Sequence, residues 1–355
     1  MTIDLDDVQA LRVFDPGDML GAIASMPAHA SVAYDAGLAA GSLPSLDGIT
    51  AVSYCGMGGS AIAGDVLRAL FRDRLGVPVD VNRSPELPEF AGPHTLVITC
   101  SYSGGTAETL EAFQEAQRRG CRIIALTGGG ELADRAEAAG AGLTVIPSGY
   151  VPRAAFGYLL FGLLGTLEAA GLLPPLAPDV EETIEELDRL IVALGPDRPR
   201  DENTAKHLAW NLGDRRPVVW GADGIGAVAA ARWKAQWNEN AKVPAWSSVL
   251  PELDHNEVVG WAEGEGNDSF VIALRHEGEH PDVALRFEPS LEIARGSGAV
   301  TEQVWAAGRS PLARLCSLVI TGDYASVYLA LMRGVDPSPM DAIDHLKAVL
   351  AEASS

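Results

Sequence analysis

The sequence predicts an α/β protein made of two related halves, each a parallel sheet flanked by helices. Short apolar runs alternate with longer helical patterns along most of the chain, which is typical of parallel sheets covered on both faces. The run Ala51–Cys55 leads into the glycine turn GMGGS, and the run Pro217–Gly221 leads into a second glycine turn and an Ala-rich helix. This repeated order of strand, turn and helix indicates an internal duplication.

The elements of the two halves follow from these patterns in chain order. In the first half, strands are expected at 51–55, 78–81, 96–100, 122–126 and 143–146, and helices at 61–74, 106–119, 130–139 and 153–170. Three prolines between 172 and 178 mark a break, because proline cannot continue a helix. In the second half, strands are expected at 217–221 and 269–274, with a helix ending near 237. We therefore expect an N-terminal helical segment (1–45), a first domain (46–172), a linker and helix (173–203), and a second domain with C-terminal helices (204–355).

Length and composition restrict the classes of protein that the chain can belong to. Its 355 residues are enough for two ordinary domains, each with its own core. The formal net charge of −22 argues against nucleic acid or a membrane surface as a partner, because both require a basic patch. No signal sequence is evident, and no apolar stretch is expected to reach the roughly 20 residues of a membrane span. Four scattered cysteines, expected to be reduced core residues, complete the pattern of a cytoplasmic protein.

The polar stretch SYSGGTAET, residues 101–109, stands where an apolar strand should lead into a helix. A simple helix cap is one interpretation, because Ser and Thr are favoured N-caps and Gly eases the turn. One cap needs only one hydroxyl, however, and several hydroxyls beside the free N–H groups of a helix start are typical of an anion site. This loop and GMGGS should leave the same edge of the sheet. Together they predict a phosphate site formed by Gly59, Ser60, Ser101, Ser103 and Thr106.

The equivalent loop of the second half, RHEGEH at residues 275–280, contains no Ser or Thr. Only the first half is therefore expected to bind the phosphate. The letters HEGEH match the zinc-protease pattern H-E-x-x-H, which requires both histidines on one face of a helix. Gly278 interrupts the segment and Pro281 follows it, so we expect neither that helix nor zinc. No other residues have the spacing of metal ligands, and we predict no metal and no other cofactor.

Carboxylates, amides, a lysine and a histidine are concentrated in NENAKVPAW (238–246) and PELDHNE (251–257). A solvated helix end and a polar loop would explain this composition without any function. Together with CGMGGSAIAGD and SYSGGTAETL, however, these motifs resemble, in the same order, the bifunctional phosphoglucose/phosphomannose isomerases of the sugar isomerase (SIS) superfamily. GDYASVYLA and RGVDP, at 322–330 and 333–337, extend the resemblance towards the end of the chain. It implies two flavodoxin-like SIS domains and a homodimer.

The resemblance also implies an activity: interconversion of glucose 6-phosphate, and of mannose 6-phosphate, with fructose 6-phosphate through an enediol. The family's base lies in NENAK, which makes Glu239 the candidate for moving the proton between C1 and C2. His255 matches the histidine that opens the sugar ring from the neighbouring subunit, a role suited to neutral-pH titration. Arg153 matches the cation that stabilises the enediolate. Lys347, near the carboxyl end, matches a lysine that assists ring opening.

Two residues depart from the usual pattern of the family, and two alternative functions remain open. Gly105 stands where the family usually has Asn, so a contact made by that side chain is lost while the backbone of the loop can still hold phosphate. Ser338 stands where Thr is expected, so the resemblance supports the glucose activity better than the mannose activity. One alternative is a phosphosugar-binding regulator without turnover, which a lost base would mark; Glu239 and His255 are both present. The other is the aminating isomerase half of a glucosamine-6-phosphate synthase, in which an amidotransferase domain would be expected as well.

Overall fold

The structure is a computed structural model and describes residues 3–353. Three helices precede the first sheet: α1 (Val8–Phe14), α2 (Met19–Ala24) and α3 (Met26–Leu38). The first sheet contains five parallel strands in the order β2-β1-β3-β4-β5. Its strands are β1 (Ala51–Gly56), β2 (Val79–Asn82), β3 (Thr95–Ser101), β4 (Arg122–Thr127) and β5 (Gly142–Val145), and its helices are α4 (Gly59–Phe71), α5 (Ala107–Arg118), α6 (Gly130–Ala139) and α7 (Phe156–Ala169).

The second sheet repeats this plan with four parallel strands in the order β7-β6-β8-β9. Two helices, α8 (Ala177–Leu194) and α9 (Thr204–Leu212), lead into it. Its strands are β6 (Arg216–Ala222), β7 (Trp246–Leu250), β8 (Ser269–Arg275) and β9 (Val300–Trp305), and the remaining helices are α10 (Ile225–Glu239), α11 (Glu257–Glu263), α12 (Pro281–Ala284), α13 (Phe287–Gly296), α14 (Pro311–Met332) and α15 (Asp341–Ala353). The orders β2-β1-β3-β4 and β7-β6-β8-β9 correspond strand for strand, which confirms the predicted duplication.

Two helices that are apolar on all sides form much of the core. Every residue of α7 from Phe156 to Leu167 is buried. The 22 residues of α14 are long and apolar enough to span a membrane by composition, so the expectation that no stretch reaches this length was wrong. The apolar window of α14 lies wholly inside the protein. A helix buried on every side needs no polar face, and this accounts for its composition.

The N-terminal helices are attached to both halves of the molecule. Helix α3 packs along α7, and it can approach closely because side chains at Gly37 and Gly165 would overlap the backbone of the opposite helix. Helices α1 and α2 contact α14 instead. At the start of the chain, the amide of Ile3 donates to the carbonyl of Met332 at 2.8 Å. Residues 3–38 therefore belong to the packing of both sheets' helices.

His29 on α3 is a buried histidine whose two ring nitrogens have no hydrogen-bond partner among the described residues. Its ring stacks on Tyr158 with a centroid distance of 3.9 Å and meets the edge of Tyr150 at 4.6 Å. Burial lowers the pKa of His29 to about 4, because a charged imidazole would lose its hydration there. The residue is therefore neutral at pH 7.

Acid should therefore destabilise the protein through His29. The unfolded chain binds this proton near pH 6.5 but the folded chain only near pH 4, so between these values protons favour unfolding. The contribution to the free energy of unfolding is complete above pH 6.5 and falls by about 3 kcal/mol by pH 4. His29→Phe keeps the stacked ring, and urea unfolding from pH 7 to 4 should show a shallower loss of stability. The exposed His94→Phe is the control, and equal pH slopes for His29→Phe and the parent would contradict the assignment.

Candidate active site

The loop after β3 forms a compact turn at the carboxyl edge of the first sheet. Ser101 ends the strand, and its hydroxyl lies 2.8 Å from the hydroxyl of Thr106 while accepting from the amide of Gly104 at 3.1 Å. Thr106 occupies the N-cap position of α5, but its side chain makes no cap hydrogen bond to the helix. Ser103 is exposed at the top of the turn. The hydroxyls thus lie beside the start of α5 without serving as its cap, which favours the anion-site interpretation.

The loop after β1 packs directly on this turn. The hydroxyl of Ser60, the second residue of α4, accepts from the amide of Tyr102 at 3.2 Å and so joins the two loops. A side chain at Gly59 would lie 3.1 Å from the carbonyl of Pro152, a distance tighter than ordinary contact. Glycine at this position therefore lets the chain around Arg153 lie against the loop. The structure brings all five residues predicted to hold phosphate to one edge of the sheet.

Arg153 is buried, and three hydrogen bonds fix its guanidinium. Nε donates to Oδ1 of Asn240 at 2.7 Å, and Nη2 donates to the carbonyls of Pro337 and Ser338 at 2.8 and 2.9 Å. Nη1 lies 3.7 Å from Oε2 of Glu239. Burial lowers the pKa of Arg153, although Glu239 opposes this effect. The arginine is thus held rigidly with one edge towards the candidate base.

Glu239 is the last residue of α10, and its side chain remains 28% exposed. It lines a cavity of about 480 Å³ together with Lys242, Met340, which directly precedes α15, and Ile343 in the first turn of α15. A partly exposed carboxylate beside a fixed guanidinium can accept and return a proton while the charge on a substrate oxygen is stabilised. The sequence analysis predicted both residues but could not show that they are in contact.

Lys242 is a site residue that the sequence analysis did not single out. Its backbone has φ = +57°, and its ammonium donates to the carbonyls of Glu239 and Pro339, each at 2.6 Å, and of Pro337 at 3.2 Å. Burial and the nearby Arg153 lower its pKa. Lys242 therefore fastens the end of α10 to the segment that holds Arg153. Its presence within NENAK was the signal that could have identified it.

A buried ion pair lies next to the site and is hydrogen-bonded to the backbone of Arg153. Arg232 on α10 donates to both carboxylate oxygens of Asp323 on α14, at 3.1 and 2.6 Å, and its Nη2 also donates to the carbonyl of Arg153 at 2.9 Å. Asn240, which binds the guanidinium of Arg153, donates in turn to the hydroxyl of Ser326 at 2.9 Å. Burial raises the pKa of Asp323, although Arg232 opposes this effect. Helices α10 and α14 are thereby connected to the chain that carries Arg153.

The two other predicted catalytic residues lie apart from this group within one chain. His255 is exposed in a short turn, Glu252–His255, that follows β7. Lys347 is exposed on α15. Among the described residues, no hydrogen bond or ion pair joins either of them to Glu239 or Arg153. The placement of His255 from a neighbouring subunit and the role of Lys347 stay predictions.

The segment HEGEH does not form the helix that a zinc protease needs. Residues 276–280 are the loop between β8 and α12, and His280 is the N-cap of that short helix. Over residues 3–353, no group of three or more His, Cys, Asp or Glu side chains is arranged to hold a metal ion.

We expect Ser101→Ala and Thr106→Ala each to raise KM about tenfold with little change in kcat. These hydroxyls shape a loop that would hold phosphate equally in the ground state and the transition state. Steady-state kinetics with a sugar 6-phosphate measure the effect, and the exposed Ser31→Ala on α3 is the matched control. A fall in kcat at constant KM would show that the loop takes part in the chemical step instead.

The fold and these loops define a protein with two SIS domains. A SIS domain model matches residues 51–139, and the model of the bacterial phospho-glucose isomerase C-terminal SIS domain matches residues 201–350. The C-terminal domain of glucosamine-fructose-6-phosphate aminotransferase from Francisella tularensis has the same fold, with a TM-score of 0.70 at 16% identity, covering 90% of this chain and 98% of that one.

Two relatives identify the family more closely. The bifunctional phosphoglucose/phosphomannose isomerase of Caldicellulosiruptor bescii is 39% identical, covering 94% of this chain and 99% of its own. The enzyme of the same name from Aquifex aeolicus is 35% identical, covering 84% of this chain and 90% of its own. The chain belongs to the bifunctional phosphoglucose/phosphomannose isomerase family.

Proposed function

We propose that the protein interconverts aldose and ketose 6-phosphates, with glucose 6-phosphate and mannose 6-phosphate as aldoses and fructose 6-phosphate as the ketose. The observation that carries this proposal is the contact between Arg153 and Glu239, 3.7 Å apart, beside loops suited to phosphate. Family membership supports the substrate class. The proposed reaction needs a base and a fixed positive charge, and this chain provides both.

Glu239 moves the proton in this proposal. Its carboxylate removes the proton from C2 of the open-chain aldose, and the C2–H electrons form the C1–C2 double bond while the carbonyl oxygen O1 takes up a proton. The resulting enediol then receives the proton from Glu239 at C1, and O2 becomes the ketone as its hydroxyl proton leaves. Nη1 of Arg153 stabilises the negative charge that develops on these oxygens. Because the carboxylate that removes the proton also returns it, no net acid or base is consumed.

An assay starting from fructose 6-phosphate tests this function directly. Glucose 6-phosphate and mannose 6-phosphate should both form and should be scored separately with specific coupling enzymes. In D₂O, deuterium should enter at C2 of the aldose product, because Glu239 can exchange its proton with solvent before returning it. Absence of either product would remove that sugar from the proposal, and a product without deuterium would indicate direct transfer or a shielded base.

The proposal includes an isologous dimer in which His255 opens the sugar ring at the partner's site. In such a dimer two composite sites form, each requiring Glu239 from one chain and His255 from the other. Glu239→Gln and His255→Ala should each be inactive on the ring-closed sugar. Their heterodimer has one site with both changes and one site with neither, so each heterodimer should have up to about half of the activity of a parental dimer. No recovery after verified subunit exchange would assign both residues to one chain.

The same assay separates the rival functions. A phosphosugar-binding regulator would bind fructose 6-phosphate without turnover, whereas the carboxylate and guanidinium present here favour catalysis. An aminating isomerase would form an amino sugar only when ammonia is supplied. Isomerisation without an amine donor therefore distinguishes the proposed activity from both alternatives.

A further inference from the structure

The second sheet has its own cleft at the carboxyl edge, in the position that corresponds to the phosphate loops of the first sheet. It has a volume of about 600 Å³ and lies between the end of α4, the turn from β6 to α10, the loop after β8 and the start of α14. The carboxyl edge, where neighbouring helices leave on opposite faces, is where ligands bind in open parallel sheets. The proposed isomerase does not use this cleft.

His276 borders the cleft and is only 7% exposed. Its Nε2 is buried and has no hydrogen-bond partner among residues 3–353. A buried nitrogen without a partner is unfavourable by about 1–3 kcal/mol, and a bound water, ion or ligand is one way to satisfy it. Burial lowers the pKa of His276, and Arg314 contributes in the same direction although Glu279 opposes it. A neutral imidazole retains one N–H that it can donate.

The backbone at the start of α10 adds further donors. This helix has 15 residues, and its N-cap, Gly224, offers no side chain to its first amides. Gly224 has φ = +95°, and apart from its chain neighbours no atom of residues 3–353 lies within 4 Å of where a Cβ would be. The first N–H groups of α10 therefore lie at the cleft without a side-chain cap, and the helix dipole favours an anion there.

Charged side chains of both signs surround the same cleft. Arg72 and Arg314 line it, with Arg72 paired to Asp223 at 2.9 Å and Arg314 to Glu277 at 3.3 Å. Arg72 and Asp223 are largely exposed, with side-chain exposures of 62% and 65%. Their ion pair contributes little in water, and a doubly charged anion could replace the carboxylate at Arg72.

We propose that this cleft binds a small phosphorylated molecule at a site separate from the isomerase site, through His276, Arg72 and the first amides of α10. The helix that begins at this cleft ends at Glu239, about 20 Å away at 1.5 Å per residue. The ligand would therefore contact the same helix as the base, at the opposite end. The proposal concerns binding and does not depend on the isomerase activity.

Inorganic phosphate is the probe, and the ring signal of His276 in ¹H–¹³C spectra of the full chain is the readout, assigned with His276→Phe. Phosphate should shift this signal saturably in the parent and equally in the Ser101→Ala/Thr106→Ala double variant. Arg72→Gln should raise the phosphate concentration at the midpoint about tenfold, because it removes one charge-assisted contact. Asp223→Asn should lower the phosphate concentration at the midpoint several-fold, because it removes the carboxylate that competes for Arg72.

Calorimetry then counts the sites, with phosphate as titrant and the exposed His207→Phe as the matched control. Two binding events per chain should be seen in the parent and in His207→Phe, and one in His276→Phe. A His276 signal that does not respond to phosphate, or an Arg72→Gln midpoint equal to that of the parent, would overturn the proposal. Loss of the response in Ser101→Ala/Thr106→Ala would overturn it as well, since it would place the phosphate at the first sheet only. None of these measurements involves turnover, so turnover remains a separate test of the proposed function.

Discussion

Glu239→Gln should lower kcat about a thousandfold or more while leaving phosphate binding and the fold intact. Glutamine keeps the size of glutamate and can still form hydrogen bonds, but it cannot accept the C2 proton. Removal of a general base slows reactions of this type by about 10²–10⁴. The side chain is 28% exposed and its ion-pair distance to Arg153 is 3.7 Å, so the lost interaction is weak and the stability should change little.

The measurement is the initial rate from fructose 6-phosphate, together with the urea midpoint of the same preparation. Glu263→Gln is the matched control, because Glu263 is also the last residue of a helix, α11, and is exposed. It should retain full activity. If Glu239→Gln kept more than about a tenth of the parental kcat, another group would have to be the base.

Arg153→Lys should lower kcat about a hundredfold, even though the charge is preserved. Lysine cannot reproduce the planar fork that bonds Asn240, Pro337 and Ser338 simultaneously, so the cation would no longer be fixed beside Glu239. Loss of one well-placed donor to a developing oxyanion typically reduces kcat by about 10²–10³. Some stability should be lost too, because the carbonyl of Ser338 is left without this donor.

Two measurements test this prediction: kcat, determined at constant solvent viscosity, and the midpoint of thermal unfolding. The control is Arg309→Lys, where the side chain is 92% exposed and its ion pair to Glu182 is long, at 3.5 Å. It should be neutral in both measurements. An Arg153→Lys protein with parental kcat would mean that the positive charge alone, without the fork, is sufficient.

The sequence was most informative where local patterns determine the structure. The predicted apolar runs became β1 to β6 and β8 within one or two residues. The strands β7 and β9 were not predicted. β7 follows the polar motif NENAKVPA, and only Leu250 of its five residues is buried; β9 is an edge strand with one buried residue, Val304. A strand that buries so little does not produce a continuous apolar run.

In the candidate site, too, local patterns indicated some residues but not the contacts between them. Glu239 and Arg153 could be singled out from motifs, but their contact joins residues that are far apart in the chain. The ion pair between Arg232 and Asp323 was not predicted, because Arg232 lies in an Ala-rich helix and Asp323 in an apolar one. Only the packing of α10 on α14 brings these two charges together, and local sequence patterns contain no information about that packing.

The attachment of the N-terminal helices to both halves has a consequence for dissecting the protein. The prolines between α7 and α8 look like a natural place to divide it, and Pro174 and Pro175 are exposed. Cleavage there would leave α3 packed on α7, α1 and α2 in contact with α14, and Ile3 bonded to Met332. A protease that nicks this link should therefore yield two fragments that co-elute as one particle. Separate expression of the two halves would expose the apolar surfaces that these helices cover, so neither half is expected to be an independently soluble domain.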